Sequence, residues 1–484
     1  MEKEILRMQD VCVGEFEPYG LEEFHMFLRQ GEMVNVMGLS GAGKTILYEF
    51  FLGHAILQRG KVIYNGREFR KGERFSGMTD VTCIGQESTL IPALTVAENI
   101  FVITGNRRTK GLVRKSNMNY RARILLGQFA PDIAPDKKAW ELSPVQRRIV
   151  ELLRAIESEV KLVVIDDAFW GFGQSDIIKL LDLLKVLKDK KIAVIYESHE
   201  LDFVSRIADR IVVLRKGRNV RTFYDTDFDE QFCKQLLVGT EELPVFERKN
   251  ISTNQMAVEL CNLTGGAYIR NLNLQIKAGE IVGIYDLNNR RNLELLQLLV
   301  GEVPTTEGSI YLSGKRYEPR NLDYAISRNI GYFSGNRKEG GLVECMTFMD
   351  NLYLPVLKKT SRFKIFRDRS VARFLKREYM ESLGVPKEEQ NAKVEVFDTY
   401  IQKSIMLKRW VLFKPTVMVC VEPFGGADMI MRDIMFKALG EMAENHSAVV
   451  IASQNMNELK MICDTIYVLN SDSGEMIQKY NIRV

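Results

Sequence analysis

A glycine-rich octapeptide near the start of the chain has the residue types that bind phosphate. Residues 38–45 read Gly-Leu-Ser-Gly-Ala-Gly-Lys-Thr and match the pattern G-x-x-x-x-G-K-[ST]. The run follows the apolar stretch Met33–Met37 and precedes the apolar stretch Ile46–Leu52, so it is expected to join a strand to a helix. Backbone N–H groups of such a loop, together with the helix N-terminus, surround phosphate groups. The pattern predicts a nucleotide site formed by Gly38, Ser40, Gly41, Ala42, Gly43, Lys44 and Thr45, with Lys44 at the β- and γ-phosphates and the Thr45 hydroxyl on Mg²⁺.

A pair of carboxylates follows a later apolar run. Asp166 and Asp167 come directly after Leu162–Ile165 and are expected at the end of a strand. In phosphoryl-transfer sites one strand-end carboxylate holds Mg²⁺, and a neighbouring residue orients the attacking water. The order of these residues relative to the glycine-rich loop predicts Asp166 as a metal ligand and Asp167 as a catalytic residue.

The sequence pattern of the elements that must position these residues occurs twice in the chain. Glycines recur at an offset of 248 residues, and further matches recur at an offset of 255. The first set pairs Gly31, Gly53, Gly60 and Gly66 with Gly279, Gly301, Gly308 and Gly314; the second pairs Arg154, Asp167, Ser198 and Asp209 with Arg409, Glu422, Ser453 and Asp464. The chain is therefore predicted to be a tandem duplication with about seven extra residues in the middle of the second copy.

Each copy alternates short β-branched runs with helical patterns, which predicts an α/β fold. We expect an N-terminal domain at 1–242, a polar linker at 243–255 and a C-terminal domain at 256–484. Residues 95–155 have a helical, Arg-rich pattern that predicts a helical insert. The strands expected in the first copy are Met33–Met37, Lys61–Tyr64, Leu162–Ile165, Ile192–Tyr196 and Arg210–Leu214.

Composition limits the class of protein. The 67 Lys and Arg residues nearly balance 63 Asp and Glu residues, so a surface that coats nucleic acid is not expected. No apolar run is long enough to span a bilayer, the start of the chain lacks a signal peptide, and seven scattered cysteines indicate a reducing compartment. These features predict a cytoplasmic protein. The basic segment Lys358–Arg377 is interpreted as a solvated face of a helical subdomain, in preference to a membrane or RNA contact.

The order of the motifs resembles that of the ATP-binding-cassette (ABC) ATPases. Gln86 follows a strand-like run, Leu142-Ser143-Pro144-Val145-Gln146 precedes a helix, and Ser198-His199 closes the strand after Asp166. In the second copy, residues 332–343 and Lys408–Leu412 are similar to two segments that are typical of the tandem monosaccharide-importer ATPases of the ribose, galactose and xylose type. The resemblance covers essentially the whole chain.

That resemblance implies two P-loop cassettes, each with a helical subdomain, packed as an intramolecular pseudo-dimer. It implies ATP and Mg²⁺ as ligands, Gln86 as a γ-phosphate sensor and magnesium-side ligand, and His199 as the switch residue; Asp167, His199 and Gln86 form the catalytic set, and Thr45, Gln86 and Asp166 the metal set. The aromatic residue that stacks on adenine could be Phe16 or Tyr19. The implied partners are two integral-membrane permease subunits and an extracytoplasmic sugar-binding protein, with the chain peripheral on the inner face of the cell membrane.

The sequence also departs from the family pattern. The second loop begins at Asp286 and lacks the glycines, the lysine and the hydroxyl; its Arg290 and Arg291 are expected to be solvated. Val421 stands at the magnesium position of the second copy, and Gln454 replaces the switch histidine. Asp398 stands where the family has a signature serine that faces the first copy's nucleotide, and Asp167 is one methylene shorter than the usual glutamate. Pro144 removes one backbone donor from the first copy's signature segment.

These departures predict one ATP site, on the first copy, with slow or absent hydrolysis. The leading functional prediction is the ATP-binding subunit of a sugar importer that powers or gates its permease. The alternative is a non-transporting, ATP-binding regulator or scaffold derived from such a subunit. A twin-cassette translation factor is disfavoured, because those proteins keep both sites and a long charged linker.

Overall fold

The computed structural model divides into two compact units, Met1–Leu243 and Pro244–Val484. The structure describes residues 3–14, 20–39, 41–85, 87–101, 115–158, 160–166, 174–197, 207–224, 228–239, 250–286, 291–335, 341–356, 361–362, 366–367, 392–397, 399–425, 427, 429–469 and 476–482.

The first unit contains an antiparallel sheet and a mixed sheet. Its strands are β1 (Glu4–Val13), β2 (Leu21–Arg29), β3 (Met33–Met37), β4 (Leu57–Tyr64), β5 (Arg67–Phe69), β6 (Val81–Ile84), β7 (Leu162–Ile165), β8 (Ala193–Tyr196), β9 (Arg210–Arg215) and β10 (Arg218–Tyr224). Its helices are α1 (Lys44–Phe51), α2 (Val96–Phe101), α3 (Lys115–Phe129), α4 (Pro144–Glu157), α5 (Gln174–Asp189) and α6 (Glu230–Val238).

The mixed sheet is the platform for the site. Its order is β10-β9-β3-β8-β7-β6, in which the five strands from β9 to β6 are parallel and β10 is an antiparallel edge. The antiparallel sheet has the order β2-β1-β4-β5. Side chains of β3 alternate between two cores: Val34 and Val36 pack against the antiparallel sheet and α1, whereas Met33 and Met37 pack against the helices of the other face. The parallel strands therefore end at one common edge, beneath the loops that carry the predicted site.

The second unit repeats this arrangement. Its strands are β11 (Met256–Gly265), β12 (Ile269–Lys277), β13 (Ile281–Tyr285), β14 (Thr305–Leu312), β15 (Lys315–Tyr317), β16 (Ile330–Ser334), β17 (Ser361–Arg362), β18 (Phe366–Arg367), β19 (Val417–Val421), β20 (Ala448–Ser453), β21 (Thr465–Leu469) and β22 (Met476–Asn481). Its helices are α7 (Arg291–Val300), α8 (Leu322–Ser327), α9 (Phe348–Tyr353), α10 (Thr399–Phe413), α11 (Met429–Glu444) and α12 (Met456–Ile462).

The sheet orders β12-β11-β14-β15 and β16-β19-β20-β13-β21-β22 match those of the first unit strand for strand. The predicted tandem α/β architecture is thus confirmed. The expected strands are present with small shifts at their ends: the strand expected at Lys61–Tyr64 begins at Leu57, and the one expected at Ile192–Tyr196 begins at Ala193. The part of the 95–155 insert that the structure describes contains α2, α3 and α4.

The structure bears on three other features of the sequence. All seven cysteines are free thiols. Within the described ranges, no helix is both long and apolar enough to cross a bilayer. Most of the basic segment Lys358–Arg377 lies outside the described residues, and its described part is the short antiparallel pair β17–β18.

Candidate functional site

The glycine-rich loop of the first unit leads from the end of β3 into α1. Its ends are fixed by backbone hydrogen bonds, since the amide of Ala42 donates to the Leu39 carbonyl (3.0 Å) and the amide of Gly217 donates to the Ala42 carbonyl (2.9 Å). A Cβ on Gly38 would lie 2.7 Å from the Leu214 carbonyl oxygen and 2.8 Å from the Ala42 Cβ, so only glycine fits there. The loop is therefore held against the sheet by close backbone contacts.

The N-terminus of α1 is open to an anion. Its N-cap residue, Gly43, has φ of 102°, a conformation that favours glycine, and offers no side chain to the first-turn N–H groups. The first turn also contains no acidic residue. Helix N-terminal N–H groups without an intrahelical partner carry partial positive charge and bind anions. The donors of this loop therefore fit a phosphate group.

Lys44 is buried at the start of α1, with 9% of its surface exposed. Its Nζ donates to the carbonyl oxygens of Gly38 (2.6 Å) and Leu39 (2.9 Å), which folds the side chain back over the loop. The same Nζ lies 3.2 Å from Oε1 of Glu197, whose side chain is only 10% exposed. Sequence reasoning did not identify Glu197, although a charged residue directly after an apolar strand was visible and the equivalent residue of the second copy is Ala452.

The two metal-ligand candidates within the described residues differ in exposure. Thr45, beside Lys44 in the first turn of α1, is exposed, so its hydroxyl is accessible to a cation. Asp166 is 7% exposed at the end of β7, and its backbone N–H donates to the Ile84 carbonyl (2.9 Å). Burial, and then the nearby Cys83 and Asp166, raise the pKa of the Tyr48 hydroxyl on α1 well above its usual range. Asp166 therefore lies close to the helix that carries Lys44 and Thr45, and a hydroxyl with a carboxylate is an oxygen donor set that suits Mg²⁺.

The remaining predicted site residues cannot be placed. They are Ser40, Gln86, Asp167, His199 and Asp398, together with Phe16 and Tyr19, the alternatives for adenine stacking; all lie outside the described residues. Their assigned roles remain predictions.

A buried network joins the segment after position 86 to α4. Glu151 of α4 is fully buried, and its Oε1 accepts hydrogen bonds from Ser88 Oγ (2.9 Å), the Thr89 amide (2.5 Å) and Thr89 Oγ1 (3.0 Å). Its Oε2 accepts from Arg148 (2.7 Å), and Arg154, one turn later, donates to Thr89 Oγ1 (2.5 Å). The segment that follows Gln86 is thus tied to the helix that follows the signature-like residues.

The signature-like residues themselves form the start of α4. Ser143 Oγ accepts from the Gln146 amide (3.2 Å), and the Gln146 side-chain oxygen accepts from the Ser143 amide (3.1 Å), which makes a capping box. Pro144 occupies the first helical position, where a helix leaves the N–H without an intrahelical partner, so the missing donor costs the helix no hydrogen bond.

The corresponding loop of the second unit is closed by its own side chains. Asp286 is 3% exposed, its Oδ2 accepts from the Arg291 amide at the N-terminus of α7 (2.9 Å), and its Oδ1 lies 3.7 Å from the Arg291 guanidinium. Arg291 is buried, and its guanidinium carbon lies 5.6 Å from the centre of the Tyr268 ring. The expectation of a solvated Arg291 was wrong, because the carboxylate and the aromatic ring replace water around it; Arg290 lies outside the described residues.

A carboxylate of α7 fixes a neighbouring loop. Glu294 accepts from the backbone N–H groups of Ala267 (2.7 Å), Tyr268 (2.6 Å) and Ile269 (3.2 Å). The residue at this position of the first copy is Ile46, which offers no such acceptor.

The strand-end positions of the second unit also lack nucleotide chemistry. Val421 is buried at the end of β19 and has no oxygen ligand for a cation. Glu422 accepts from Ser453 Oγ (3.0 Å) and from the Gln454 amide (2.9 Å), so its carboxylate is bonded to the segment that replaces the switch histidine. The two units thus share a fold and differ in the chemistry of this edge.

Comparison with known proteins agrees with this geometry. Residues 21–170 match the model of the family described as ABC transporter. The chain is 27% identical to the ribose import ATP-binding protein RbsA of Geobacillus kaustophilus over 92% of this chain and 91% of the relative. It is 26% identical to a putative ribose/galactose/methyl galactoside import ATP-binding protein of Halalkalibacterium halodurans over 98% of this chain and 92% of the relative.

A solved structure with a similar fold spans both units. A chain of the complex of archaeal ribosomal stalk protein aP1 and archaeal ribosome recycling factor aABCE1 has a TM-score of 0.63 at 14% identity, over 98% of this chain and 90% of that chain. At this identity the likeness shows the fold alone.

The fold and the P-loop together define the class: the chain consists of two ABC ATPase cassettes in tandem. Over nearly its whole length it is similar to sugar-import ATP-binding proteins, as its motif order predicted.

Proposed function

We propose that the chain is the ATP-binding subunit of an ABC-type sugar importer, and that it binds one MgATP, on its first unit. The observation that carries this proposal is the contrast between the two loops. The N-terminus of α1 is open and bordered by Lys44, whereas the N-terminus of α7 is closed by the Asp286 carboxylate. The names of the relatives support an import function.

Each predicted site residue has one proposed task. The loop amides and Lys44 hold the phosphates, and the Thr45 hydroxyl with the Asp166 carboxylate holds the Mg²⁺ that neutralises them. Asp167 orients the water as the catalytic carboxylate, Gln86 and His199 contact the γ-phosphate, and Asp398 faces the nucleotide as an unfavourable charge. Because Asp167 is shorter than glutamate, hydrolysis is proposed to be slow.

The proposed partners are two integral-membrane permease subunits and an extracytoplasmic sugar-binding protein, with this chain peripheral on the inner face of the membrane. The network around Glu151 supports coupling to a permease, since it links the segment after Gln86 to the helical part of the unit. Co-purification of the tagged chain with permease subunits in detergent extracts tests this part of the proposal.

Titration calorimetry with MgATP tests the nucleotide site. We expect one ATP per chain, loss of binding in Lys44→Ala, and unchanged stoichiometry in Asn292→Ala, the matched position of the second copy. Two ATP per chain would overturn the assignment of the second unit, and no binding would overturn the whole proposal.

Steady-state phosphate release separates two kinds of function. Slow release that Asp167→Glu raises and Lys44→Ala abolishes is the expected result. Binding with no release in any variant would instead support an ATP-binding regulator or scaffold, the second candidate, which the closed loop of the second unit also favours.

A further inference from the structure

The P-loop lysine of the first unit has a carboxylate partner within its own unit. Lys44 Nζ and Glu197 Oε1 are 3.2 Å apart, and the two side chains are 7% and 10% exposed. Opposite charges at this distance and burial interact strongly, because little water screens them. The pair is a feature of the site that neither the P-loop pattern nor the family resemblance includes.

The position of Glu197 follows from the sheet order. It comes directly after β8, which lies between β3, the strand that leads into the P-loop, and β7, the strand that ends at Asp166. The Glu197 amide donates to the Ile165 carbonyl (2.9 Å), which fixes its backbone beside the magnesium-side strand. Its carboxylate therefore enters the centre of the strand-end edge, where the terminal phosphates of a nucleotide are expected.

The internal duplication supplies a comparison. The residue equivalent to Glu197 in the second copy is Ala452, which is buried in the same sheet arrangement. The second unit therefore builds this strand without a carboxylate at the position, and the charge of Glu197 is not required by the fold. Its contact with Lys44 points to a role in the site.

We propose that Glu197 is an internal competitor of the nucleotide phosphates for Lys44 and thereby sets the nucleotide affinity of the first unit. In the ligand-free protein the Glu197 carboxylate neutralises Lys44. A polyphosphate must replace this carboxylate as the partner of Lys44, and its own negative charge is then repelled by Glu197. The penalty grows with the charge that reaches Lys44, so it is larger for ATP than for AMP, whose single phosphate does not extend to the β and γ positions. This inference rests on the proposed function of the P-loop.

The test compares nucleotide affinity in the full chain by calorimetry. Glu197→Gln keeps the size of the side chain and removes its charge, and Glu197→Ala introduces the residue that the second unit has at this position. The control is Glu49→Gln, which changes the net charge by the same amount on the helix that carries Lys44, at a site paired with His54. We expect MgATP to bind roughly tenfold or more tightly to both Glu197 variants, AMP to be unaffected, and Glu49→Gln to match the parent protein.

A ligand-free measurement keeps folding effects apart. Both Glu197 variants should have lower thermal stability without nucleotide, since Lys44 loses its carboxylate partner and keeps the two carbonyl oxygens, and a larger stabilisation by MgATP than the parent chain. If the parent chain binds MgATP and Glu197→Gln binds it equally or more weakly, the competitor role is wrong while the proposed function stands. If neither the parent chain nor the Glu197 variants bind MgATP, the proposed function fails and this inference with it.

Discussion

Replacement of Glu151 by glutamine should strongly destabilise the first unit. Glu151 is fully buried and accepts four hydrogen bonds, three at Oε1 and one, from the buried Arg148, at Oε2. Glutamine keeps one acceptor oxygen, but the NH2 group at the other position cannot accept a hydrogen bond from a guanidinium, so Arg148 loses its carboxylate partner in a buried setting. Removal of one partner of a buried ion pair costs about 3–5 kcal/mol, and we expect a loss of about 3 kcal/mol because one acceptor is kept.

The matched control is Glu157→Gln, on the same helix. Glu157 pairs with Arg121 at 3.0 Å, but the Arg121 side chain is 56% exposed. Surface ion pairs of this kind contribute at most about 1 kcal/mol. The two variants make the same chemical change on one helix, at sites that differ in the burial of the carboxylate and in the number of hydrogen bonds it accepts.

Urea unfolding of the full chain gives the free-energy difference, and hydrogen–deuterium exchange assigns it to a unit. Protection should fall in peptides that cover residues 87–95 and 144–157, and peptides of the second unit should be unchanged. The equivalent residue in that unit is Met406, which is buried, so the helix itself does not need a carboxylate. A loss in Glu151→Gln no larger than that in Glu157→Gln would refute the reasoning.

Three further changes have defined outcomes. Asp286→Gly should not create a second ATP site and should lower stability by about 1–2 kcal/mol, because it removes the acceptor of the buried Arg291 amide; a second site in calorimetry would contradict this. Burial raises the pKa of the Cys83 thiol to about 12. At pH 8, iodoacetamide should therefore modify the exposed Cys345 and leave Cys83 intact in the folded chain, which peptide mass spectrometry would report. Equal rates of modification at the two cysteines would show that Cys83 is open to solvent. Gly85→Ala places a Cβ 2.5 Å from the hydroxyl of the buried Tyr48 of α1 and should lower the free energy of unfolding in urea by about 1–3 kcal/mol. The control Gly127→Ala, in open space on α3, should be neutral or stabilising. Equal urea midpoints for the two variants would contradict the predicted steric clash.

The sequence predicts those parts of the fold and site that depend on local pattern. The P-loop, the strand before it and the strand that ends at Asp166 are each contained in a short run, so composition and order place them correctly. The same holds for the duplication, because its glycines mark turns that both copies need.

The contacts that the sequence did not predict join residues far apart in the chain. Lys44 and Glu197 meet only because β8 inserts between β3 and β7 in the sheet, an order that no local pattern specifies. The pairing of Arg291 with Asp286 and its position over Tyr268 likewise depend on how α7 packs on the sheet. A charged residue on its own is most often solvated, and only tertiary structure shows that these are not.

The two units together separate what the cassette fold needs from what nucleotide chemistry needs. In the second unit, carboxylates accept hydrogen bonds from donors at the edge that corresponds to the P-loop side of the first unit. Asp286 accepts from the first amide of α7, Glu294 accepts from the amides of residues 267–269, and Glu422 accepts from the Ser453 hydroxyl and the Gln454 amide. A polar group that is satisfied internally gains little from a ligand, since binding would exchange one partner for another and add charge repulsion.

Loss of the glycine-rich loop is thus compatible with a stable cassette, and it follows that the second unit can persist as a folded half without nucleotide. Among the described residues of the first unit, the comparable carboxylate contact is that of Glu197 with Lys44, and the first turn of α1 contains no acidic residue. The difference in charge placement, on a shared backbone, is therefore sufficient to account for the proposed difference between the units, in which the first binds nucleotide and the second does not.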